Sequence, residues 1–364
     1  MTARVKFIIV GSGWRSLYYV RIAKAHPELF QLCAMLCRTE EKALKMTQEN
    51  NIYATTSEEE CVKMQPDVVV VAVNKDSIAD VSMHWMEKGF CVLSETPAAM
   101  KLENLNKLWE MHQKGHKIVV NEQYTHYPTY QVLLYIAELG ILGSRDCLNI
   151  SLAHEYHGVS LTRALLGLKI DQQFTLTAKE YKFLTTETLT RYDHFTDGRT
   201  APKKRTIATF EFENGKIALY DFDSEQYRSP IRKNTVKLQG VRGEIINWDV
   251  YYLDQNNNAV MSPITFTTHT IHTNFANPNL CQYKEITSAT FQGQNIYTPK
   301  ITGMAEDETA MAEMLLGTAL YAKGLAEPPY PLEAALQDAY SMLLMQKAIA
   351  TGTPQHSEKQ VWNG

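Results

Sequence analysis

The segment Asp67-Val68-Val69-Val70-Val71-Ala72-Val73 carries one charge at its start and then no polar face at all. A half-buried strand alternates polar and apolar residues, so an unbroken β-branched run predicts a strand covered on both sides. Helices must then lie on both faces of its sheet, and the flanking chain supplies them. Val5 to Val10 is a second such run, stopped at Gly11. Arg15 to Ala25 follows as a helix closed by His26-Pro27. Leu32 to Cys37, Cys91 to Leu93 and Lys117 to Val120 read as further strands. Helical patterns over Glu40 to Asn50, Ile78 to Lys88 and Leu102 to Lys114 fall between the strands. Strands separated by helices of this length pair in parallel through right-handed crossovers. The expected fold is α/β, with a doubly wound parallel sheet over residues 1–122.

The texture changes after residue 122. Thr129 to Leu139 and Leu161 to Leu166 read as helices, and a β-rich region runs from Phe174 to roughly Val260. Its segments Thr206–Glu213, Lys216–Asp223 and Thr235–Gln239 are separated by turn signals such as Glu213-Asn214-Gly215. Consecutive strands joined by hairpins predict a large, open, mostly antiparallel sheet. Helices over Glu306 to Lys323 and Leu332 to Thr351 close the chain, the second preceded by Pro328-Pro329-Tyr330-Pro331. Residues 123–364 are therefore expected to form an α+β domain for substrate binding and oligomerisation, whose last helix packs back on the first domain.

Composition narrows the partners. Lys and Arg number 36 against 40 Asp and Glu, a net charge of −4 in 364 residues. That balance gives no basic footprint for nucleic acid and no polybasic patch for a membrane surface. Lys203-Lys204-Arg205 is the one cationic cluster, and a solvated loop is its expected setting. The first apolar run, Phe7 to Val10, is far shorter than the roughly 20 residues of a membrane span. The six cysteines (33, 37, 61, 91, 147 and 281) form no CxxC pair, and several sit in apolar runs. They read as buried free thiols in a reducing cytoplasm.

The chemistry-bearing motif is Val10-Gly11-Ser12-Gly13-Trp14-Arg15-Ser16, placed between the first strand and the first helix. Gly11 permits a tight turn. Gly13 lets the backbone approach a pyrophosphate at the helix N-terminus. Ser16 stands at the third glycine of a G-x-G-x-x-G fingerprint, still small enough for close helix–strand packing. An acidic residue at the tip of the second strand would bond the ribose 2′-hydroxyl of NAD. This chain has Cys37-Arg38-Thr39 there. A guanidinium and a hydroxyl suit a 2′-phosphate, which favours NADP over NAD. The competing reading makes Arg38 a surface residue stacked on adenine.

Gly11-Ser12-Gly13, Cys37-Arg38, Ala72-Val73-Asn74 and Ser94-Glu95-Thr96-Pro97 occur in an order that resembles the glucose–fructose oxidoreductase/inositol dehydrogenase/MocA (Gfo/Idh/MocA) family. Lys88-Gly89-Phe90-Cys91-Val92-Leu93 ahead of Glu95, and the Tyr330-Pro331-Leu332-Glu333 to Gly352 helix, extend the likeness over the chain. The resemblance implies a Rossmann domain, a second domain with a large open sheet, and NAD(P)-linked chemistry on sugars or cyclitols. It assigns Val73, Asn74, Glu95, Thr96 and Gln123 to cofactor contact, beside Gly11, Ser12, Gly13, Trp14, Arg15, Cys37, Arg38 and Thr39. It also implies a homodimer or homotetramer, in keeping with the need to cover a broad open sheet.

Two departures bear on catalysis. The family's Glu-Lys-Pro reads Glu95-Thr96-Pro97, and threonine can hydrogen bond but cannot act as a cation or base near neutral pH. The family's Asp-x-x-x-His, counted back from Leu165-Leu166-Gly167, reads Ala153 and His157. The histidine is kept and the aspartate is not. His157 is the general acid/base candidate, because imidazole titrates near working pH. A structural histidine at a strand-to-helix corner is the alternative. Thr96 and Tyr124 join His157 as catalytic candidates, and Glu95, Tyr124, His154, Tyr156 and His157 as substrate contacts. His126 and Tyr127 are weaker versions of Tyr124, which packing would explain equally well. A metal at His154 and His157 is disfavoured, since no nearby Cys or Asp completes a zinc set. Arg191-Tyr192-Asp193-His194 divides evenly between a substrate loop and an oligomer contact. Arg163 could bind an anion, with a surface salt bridge the stronger reading.

The function expected is hydride transfer between a nicotinamide and a hydroxyl or carbonyl group of a sugar, cyclitol or related molecule. Two alternatives stand beside it. One is a redox-neutral lyase or hydrolase that uses bound NAD(P) within a turnover. The other is a non-catalytic dinucleotide- or sugar-binding regulator on an enzyme scaffold.

Overall fold

The computed structural model describes residues 4–190, 193–272 and 282–364. Contacts divide the chain into two units: Met1–His126 with Glu306–Ala339, and Tyr127–Ala305 with Tyr340–Gly364.

The first unit is built on six parallel strands: β1 (Val5–Val10), β2 (Phe30–Leu36), β3 (Ala54–Thr55), β4 (Val68–Val71), β5 (Val92–Ser94) and β6 (Ile118–Val120). Their order is β3-β2-β1-β4-β5-β6, and every pairing is parallel. The direction of winding therefore reverses between β1 and β4. All four valines of β4 are fully buried, the consequence of helices on both faces. Those helices are α1 (Ser16–Ala25), α2 (Glu40–Asn50), α3 (Glu58–Lys63), α4 (Ile78–Glu87) and α5 (Leu102–Gln113). Thr39 and Ser57 cap α2 and α3, their hydroxyls accepting the backbone N–H of Lys42 and Glu60. Trp85 of α4 is almost wholly buried and meets Phe90 edge-on, with ring centroids 5.6 Å apart.

The second unit opens with α6 (Pro128–Glu138), β7 (Arg145–Ser151) and α7 (Glu155–Leu166). A long β run follows: β8 (Phe174–Thr186), β9 (Thr200–Phe212), β10 (Ile217–Asp223), β11 (Thr235–Gly240), β12 (Gly243–Ile246), β13 (Asp249–Leu253), β14 (Ala259–His272), β15 (Gln282–Phe291) and β16 (Gln294–Tyr297). With β17 (Gln355–His356) these strands make one eleven-stranded sheet, ordered β16-β15-β14-β13-β12-β11-β7-β10-β9-β8-β17. Only β7 with β10 is parallel; the other pairs are antiparallel. The chain ends through α8 (Glu306–Ala322), α9 (Leu332–Thr351) and β17. In the first unit α8 packs on α1, where Arg21 pairs with Glu308. Lys117 Nζ donates to the carbonyls of Tyr321 and Ala322 at 3.0 and 2.9 Å, a cation at the carboxyl end of α8.

Three local expectations are corrected. The β region continues to Tyr297 instead of ending near Val260, because the threonine-rich β14 and β15 pair along their length. Helix α7 starts at Glu155, six residues before Leu161 (161 − 155), since the polar Glu155 to Ser160 turn obscures its apolar period. Lys203-Lys204-Arg205 lies in β9 and not in a loop. Carboxylates answer these cations: Glu187 and Glu225 for Lys203, Glu180 for Lys204, Asp221 and Asp223 for Arg205. Of the cysteines, 37, 61 and 91 are buried and free, whereas Cys33 and Cys147 are free but half-buried. Cys281, Arg191 and Tyr192 lie outside the described residues. Among the described residues, no helix is long and apolar enough to cross a membrane.

Replacing Trp85 with alanine removes the largest fully buried side chain. This change is expected to cost about 3–5 kcal/mol, seen as an earlier urea transition for the first unit while the second unit's transition holds.

Candidate functional site

Strand register carries one row across the first sheet. Leu36, Val10, Val71, Ser94 and Val120 are successive partners, so the residue after each stands at the carboxyl edge. Those residues are Cys37, Gly11, Ala72, Glu95 and Asn121. Backbone bonds extend the row by a step: Gly11 N to Leu36 O at 3.0 Å, Ala72 N to Val10 O at 2.9 Å, Glu95 N to Val71 O at 3.0 Å and Asn121 N to Ser94 O at 2.7 Å. The carboxyl edge at the winding reversal is where open α/β sheets take their ligands.

The loop after β1 fits a dinucleotide pyrophosphate. Gly11 has φ +111°, and a Cβ there would stand 2.4 Å from the Ala72 carbonyl oxygen, so both conformation and space require glycine. A Cβ on Gly13 would meet nothing within 4 Å, leaving its backbone open to approach. Arg15 is the N-cap of α1 but makes no side-chain cap, and the first turn holds no acidic residue. The positive end of the helix is thus neither capped nor neutralised by its own side chains. Ser16 is buried and its hydroxyl donates to Gly11 O at 3.0 Å, closing the loop.

On the β2 side, Cys37 is buried and Arg38 exposed. Burial pushes the Cys37 thiol above its ordinary value, against a hydrogen bond with Ser12 that lowers it. The Thr39 oxygen is engaged as the α2 cap, accepting the Lys42 N–H. Two carboxylates stand beside this group, Glu40 and Glu41 in the first turn of α2, and Glu40 accepts from the Thr56 hydroxyl. Val73 is half-buried against the Gly11 turn. Asn74 is exposed, its side-chain oxygen accepting the Asp76 N–H at 3.0 Å.

Farther along the edge, Glu95 organises a buried polar group. Its Oε1 accepts from Tyr19 at 2.6 Å and from Asn121 Nδ2 at 2.8 Å, and its Oε2 lies 3.2 Å from Arg15 Nε. The amide of Gln123, oriented to satisfy both ends, turns its oxygen to Arg15 Nη2 at 3.2 Å. Burial first, and then the Glu95 charge, hold the Tyr19 phenol well above its ordinary value of 10.0. Asn121 Oδ1 is buried with no hydrogen-bond partner among the described residues. A buried acceptor of this kind fits the N–H donors of a nicotinamide carboxamide. Thr96 is half-buried beside the group. Tyr124 is buried, and its N–H donates to Glu122 Oε1 at 3.1 Å.

The second unit holds the histidines. His154 is the N-cap of α7 and is exposed; His157 falls in the first turn of α7 and is 1% exposed. Their rings meet edge to face with centroids 4.7 Å apart, and Tyr156 lies edge-on to His157 at 5.5 Å. Ala153 gives its carbonyl to the Tyr220 hydroxyl at 2.9 Å, and Gly158 has no room for a Cβ against the Tyr220 ring. Glu155 accepts from Gln346 Nε2 at 2.7 Å. His154 Nδ1 bonds the hydroxyl of Tyr227, which stands on the short 3-10 turn Ser224–Tyr227. Arg163 lies in the last turn of α7, and Asp193 bonds Thr190. Among the described residues, no group of three or more His, Cys, Asp or Glu could hold a metal ion.

The expected residues thus fall into three groups: the glycine loop with Cys37, the Glu95 group with Arg15 and Gln123, and the α7 entrance. Tyr19 and Tyr227 were not anticipated. Tyr19 stands four positions after Arg15, so helical spacing carried a signal for it. Tyr227 lies far along the chain from His154, with no local pattern to link them.

Residues 5–123 match the family model described as an oxidoreductase family with an NAD-binding Rossmann fold, Gfo/Idh/MocA. No curated protein matches the chain. Three similar solved structures illustrate the likeness. An oxidoreductase from Desulfitobacterium hafniense, described as NADPH-dependent, is 14% identical, with TM-score 0.66 and 98% of each chain covered. The WlbA dehydrogenase from Bordetella pertussis, in complex with NADH and UDP-GlcNAcA, is 13% identical with TM-score 0.63; 98% of this chain and 100% of that one are covered. The scyllo-inositol dehydrogenase from Lactobacillus casei is 12% identical with TM-score 0.65, over 98% and 99%. Identities this low establish a shared fold.

The Tyr19 phenol has a raised folded-state pKa, so its contribution to stability is complete below pH 10 and is lost as pH rises past that value. Alkaline unfolding, followed by circular dichroism from pH 8 to 11, is expected to steepen above pH 10 and to flatten in Tyr19→Phe.

Proposed function

Because residues 5–123 match the Gfo/Idh/MocA oxidoreductase family model, with its NAD-binding Rossmann fold, we propose that the chain moves hydride between NADP(H) and a hydroxyl or carbonyl carbon of a sugar, cyclitol or related small molecule. The observation that carries this reading is the row Cys37, Gly11, Ala72, Glu95 and Asn121 at one sheet edge, with an uncapped helix start and a buried free acceptor along it. When bound, the dinucleotide supplies the hydride chemistry. The chain supplies the rest. Gly11, Ser12, Gly13, Trp14 and Arg15 receive the pyrophosphate. Val73, Asn74, Glu95, Thr96 and Gln123 frame the nicotinamide half, and Asn121 offers it an acceptor.

Arg38 favours NADP, since Cys37-Arg38-Thr39 after β2 contain no carboxylate and Arg38 is exposed. Glu40, engaged by Thr56, is the feature that weighs toward NAD. Within the second unit His157 is the candidate for taking or returning the hydroxyl proton, and within the first Thr96 and Tyr124 are the hydrogen-bonding candidates. Thr96 and Ala153 stand where the family resemblance implies a lysine and an aspartate, so these two positions supply neither an ammonium nor a carboxylate. Residues 1–122 serve as the cofactor domain and 123–364 as the substrate and oligomerisation domain. Free thiols suit a reducing, cytoplasmic setting. Exposed Ile207, Ile217, Leu219, Tyr251, Leu253 and Met261 on the large sheet favour a homodimer or homotetramer.

The decisive measurement is a parallel fluorescence titration with NADPH, NADP, NADH and NAD. Micromolar NADPH binding is expected, weakened about 10–100-fold in Arg38→Ala with NADH little changed. Equal losses for both would assign Arg38 to adenine stacking, and no binding of any of the four would remove the oxidoreductase reading. His157→Ala is expected to lose about 10²–10⁴-fold in turnover and to keep its NADPH affinity. Consumption of substrate without net change in nicotinamide absorbance would mark the redox-neutral alternative. A binder would show ligand affinity and no turnover with any sugar or cyclitol tried. For assembly, light scattering is expected to give more than 41.4 kDa per particle, falling toward the monomer in Leu219→Lys.

A further inference from the structure

We infer that Arg232, with the hydroxyls of Thr185, Thr188 and Ser229, forms a site in the second unit for an oxyanion, the carboxylate or phosphate of an acidic sugar. The inference starts from charge. A guanidinium stays protonated in a protein, and burying part of it calls for acceptors. Arg232 is half-buried, and among the described residues its side chain makes one hydrogen bond, from Nη2 to Thr185 Oγ1 at 3.1 Å. Its Nε is buried with no acceptor, and Nη1, also without a partner, is not enclosed. The carboxylates on the neighbouring segments are engaged elsewhere. Glu187 and Glu225 face Lys203 at 2.9 and 3.1 Å, and Glu180 faces Lys204 at 2.8 Å. Asp221 and Asp223 face Arg205 at 3.2 and 3.0 Å. Arg232 stands outside this pairing.

Hydroxyl protons accompany the charge. Thr185 is 5% exposed, and its oxygen already accepts from Arg232, so its proton is left to give. Thr188 and Ser229 bond through their hydroxyls at 3.2 Å, which uses one proton of the two and leaves the other. Ser229 is 4% exposed, and Arg232 N donates to its carbonyl at 3.2 Å. A cation beside hydroxyl donors is a donor set for an oxyanion. The chain itself fixes the turn. Ser229 N donates to Glu225 O at 2.8 Å, and Gln226 Nε2 donates to the carbonyls of Lys233 and Ser151 at 3.3 and 3.0 Å. Donors held in place cost less to order on binding.

Topology sets this group on the edge that carries α7. Ser151 and Asp223 end β7 and β10, which run parallel, and α7 follows β7. Register carries Asp223 through Arg205 to Tyr181, and Thr185 lies just beyond Tyr181 on β8. One edge of the large sheet therefore holds both the α7 entrance and the Arg232 group. On the oxidoreductase reading the ligand of this edge is the substrate. That role rests on the reading, whereas the oxyanion preference does not.

The test is calorimetric titration of the whole protein at low salt with glucose, glucuronate and glucose 6-phosphate, which differ only at C6. At least one acid is expected to bind about 10–100-fold tighter than glucose, the worth of hydrogen bonds from a charged donor, and the tighter one tells carboxylate from phosphate. Arg232→Gln is expected to erase the preference and leave glucose affinity unchanged. Thr185→Val keeps the charge and the side-chain shape, and is expected to lose about three- to tenfold in affinity for the preferred acid. A preference within about fivefold in the natural chain, the range of exposed ion pairs, would overturn the inference. So would full retention of the preference in either variant. Preference for an acid with no NADPH binding would count against the oxidoreductase reading alone, and NADPH binding without the preference against this inference alone. For the substrate role, NADP reduction by the preferred acid is expected to exceed that by glucose in kcat/KM, and a value no higher than for glucose overturns that role.

Discussion

A carboxylate buried at the edge of a parallel sheet has to be matched, and the groups that match Glu95 set the geometry of everything near it. The residue is 6% exposed and follows a strand paired on both sides. Left uncompensated, such a charge costs several kcal/mol. Arg15 answers from the start of α1, Tyr19 from one turn further along, and Asn121 from the end of β6. One side chain thereby fixes the first helix against the fifth and sixth strands. The glycine loop lies between them, held from the other side by the Ala72 carbonyl that excludes any Cβ on Gly11. The loop is clamped by charge on one flank and by backbone contact on the other. A dinucleotide site needs that rigidity, because the backbone itself is the phosphate ligand.

The fold was legible where burial is two-sided. The β4 valines, the β1 run and the helices between them give an unambiguous period, and the six-stranded sheet follows them closely. Legibility fell where one strand face meets water. β14 and β15 mix threonine with isolated apolar residues such as Ile264 and Phe291, so their periodicity is diluted although their register is continuous. Lys203, Lys204 and Arg205 looked like loop residues because sequence shows three cations in a row. It does not show Glu180, Glu187 and Asp221, which approach from other segments to neutralise them. Sign and spacing of charge along a chain report poorly on pairing across a sheet.

The site divides in the same way. Gly11, Gly13, Cys37 and Glu95 lie at strand ends, so locating the strands located them. Tyr19 was within reach, because a residue four positions along a helix shares a face with its predecessor. Tyr227 was beyond reach, since its link to His154 passes through a capped turn, Gln226 and the end of β7. Contacts of that kind depend on how a loop closes, and loop closure leaves no period in the sequence.

On the proposed reading, the residues assigned to substrate also limit what the substrate can be. In the first unit these include Thr96 and Tyr124, side chains without a fixed charge. Glu95 is charged but already compensated by Arg15. A carboxylate or phosphate placed against this set would lose its hydration without meeting an unengaged cation, a penalty that scales with how completely water is excluded. A neutral hydroxyl or carbonyl loses far less and finds a donor or acceptor in each of these side chains. Sites lined by hydrogen-bonding groups discriminate most strongly against ligands that leave those groups unpaired. The same chemistry that leaves Thr96 without a lysine's charge therefore favours polyhydroxylated substrates that are uncharged at the reacting end.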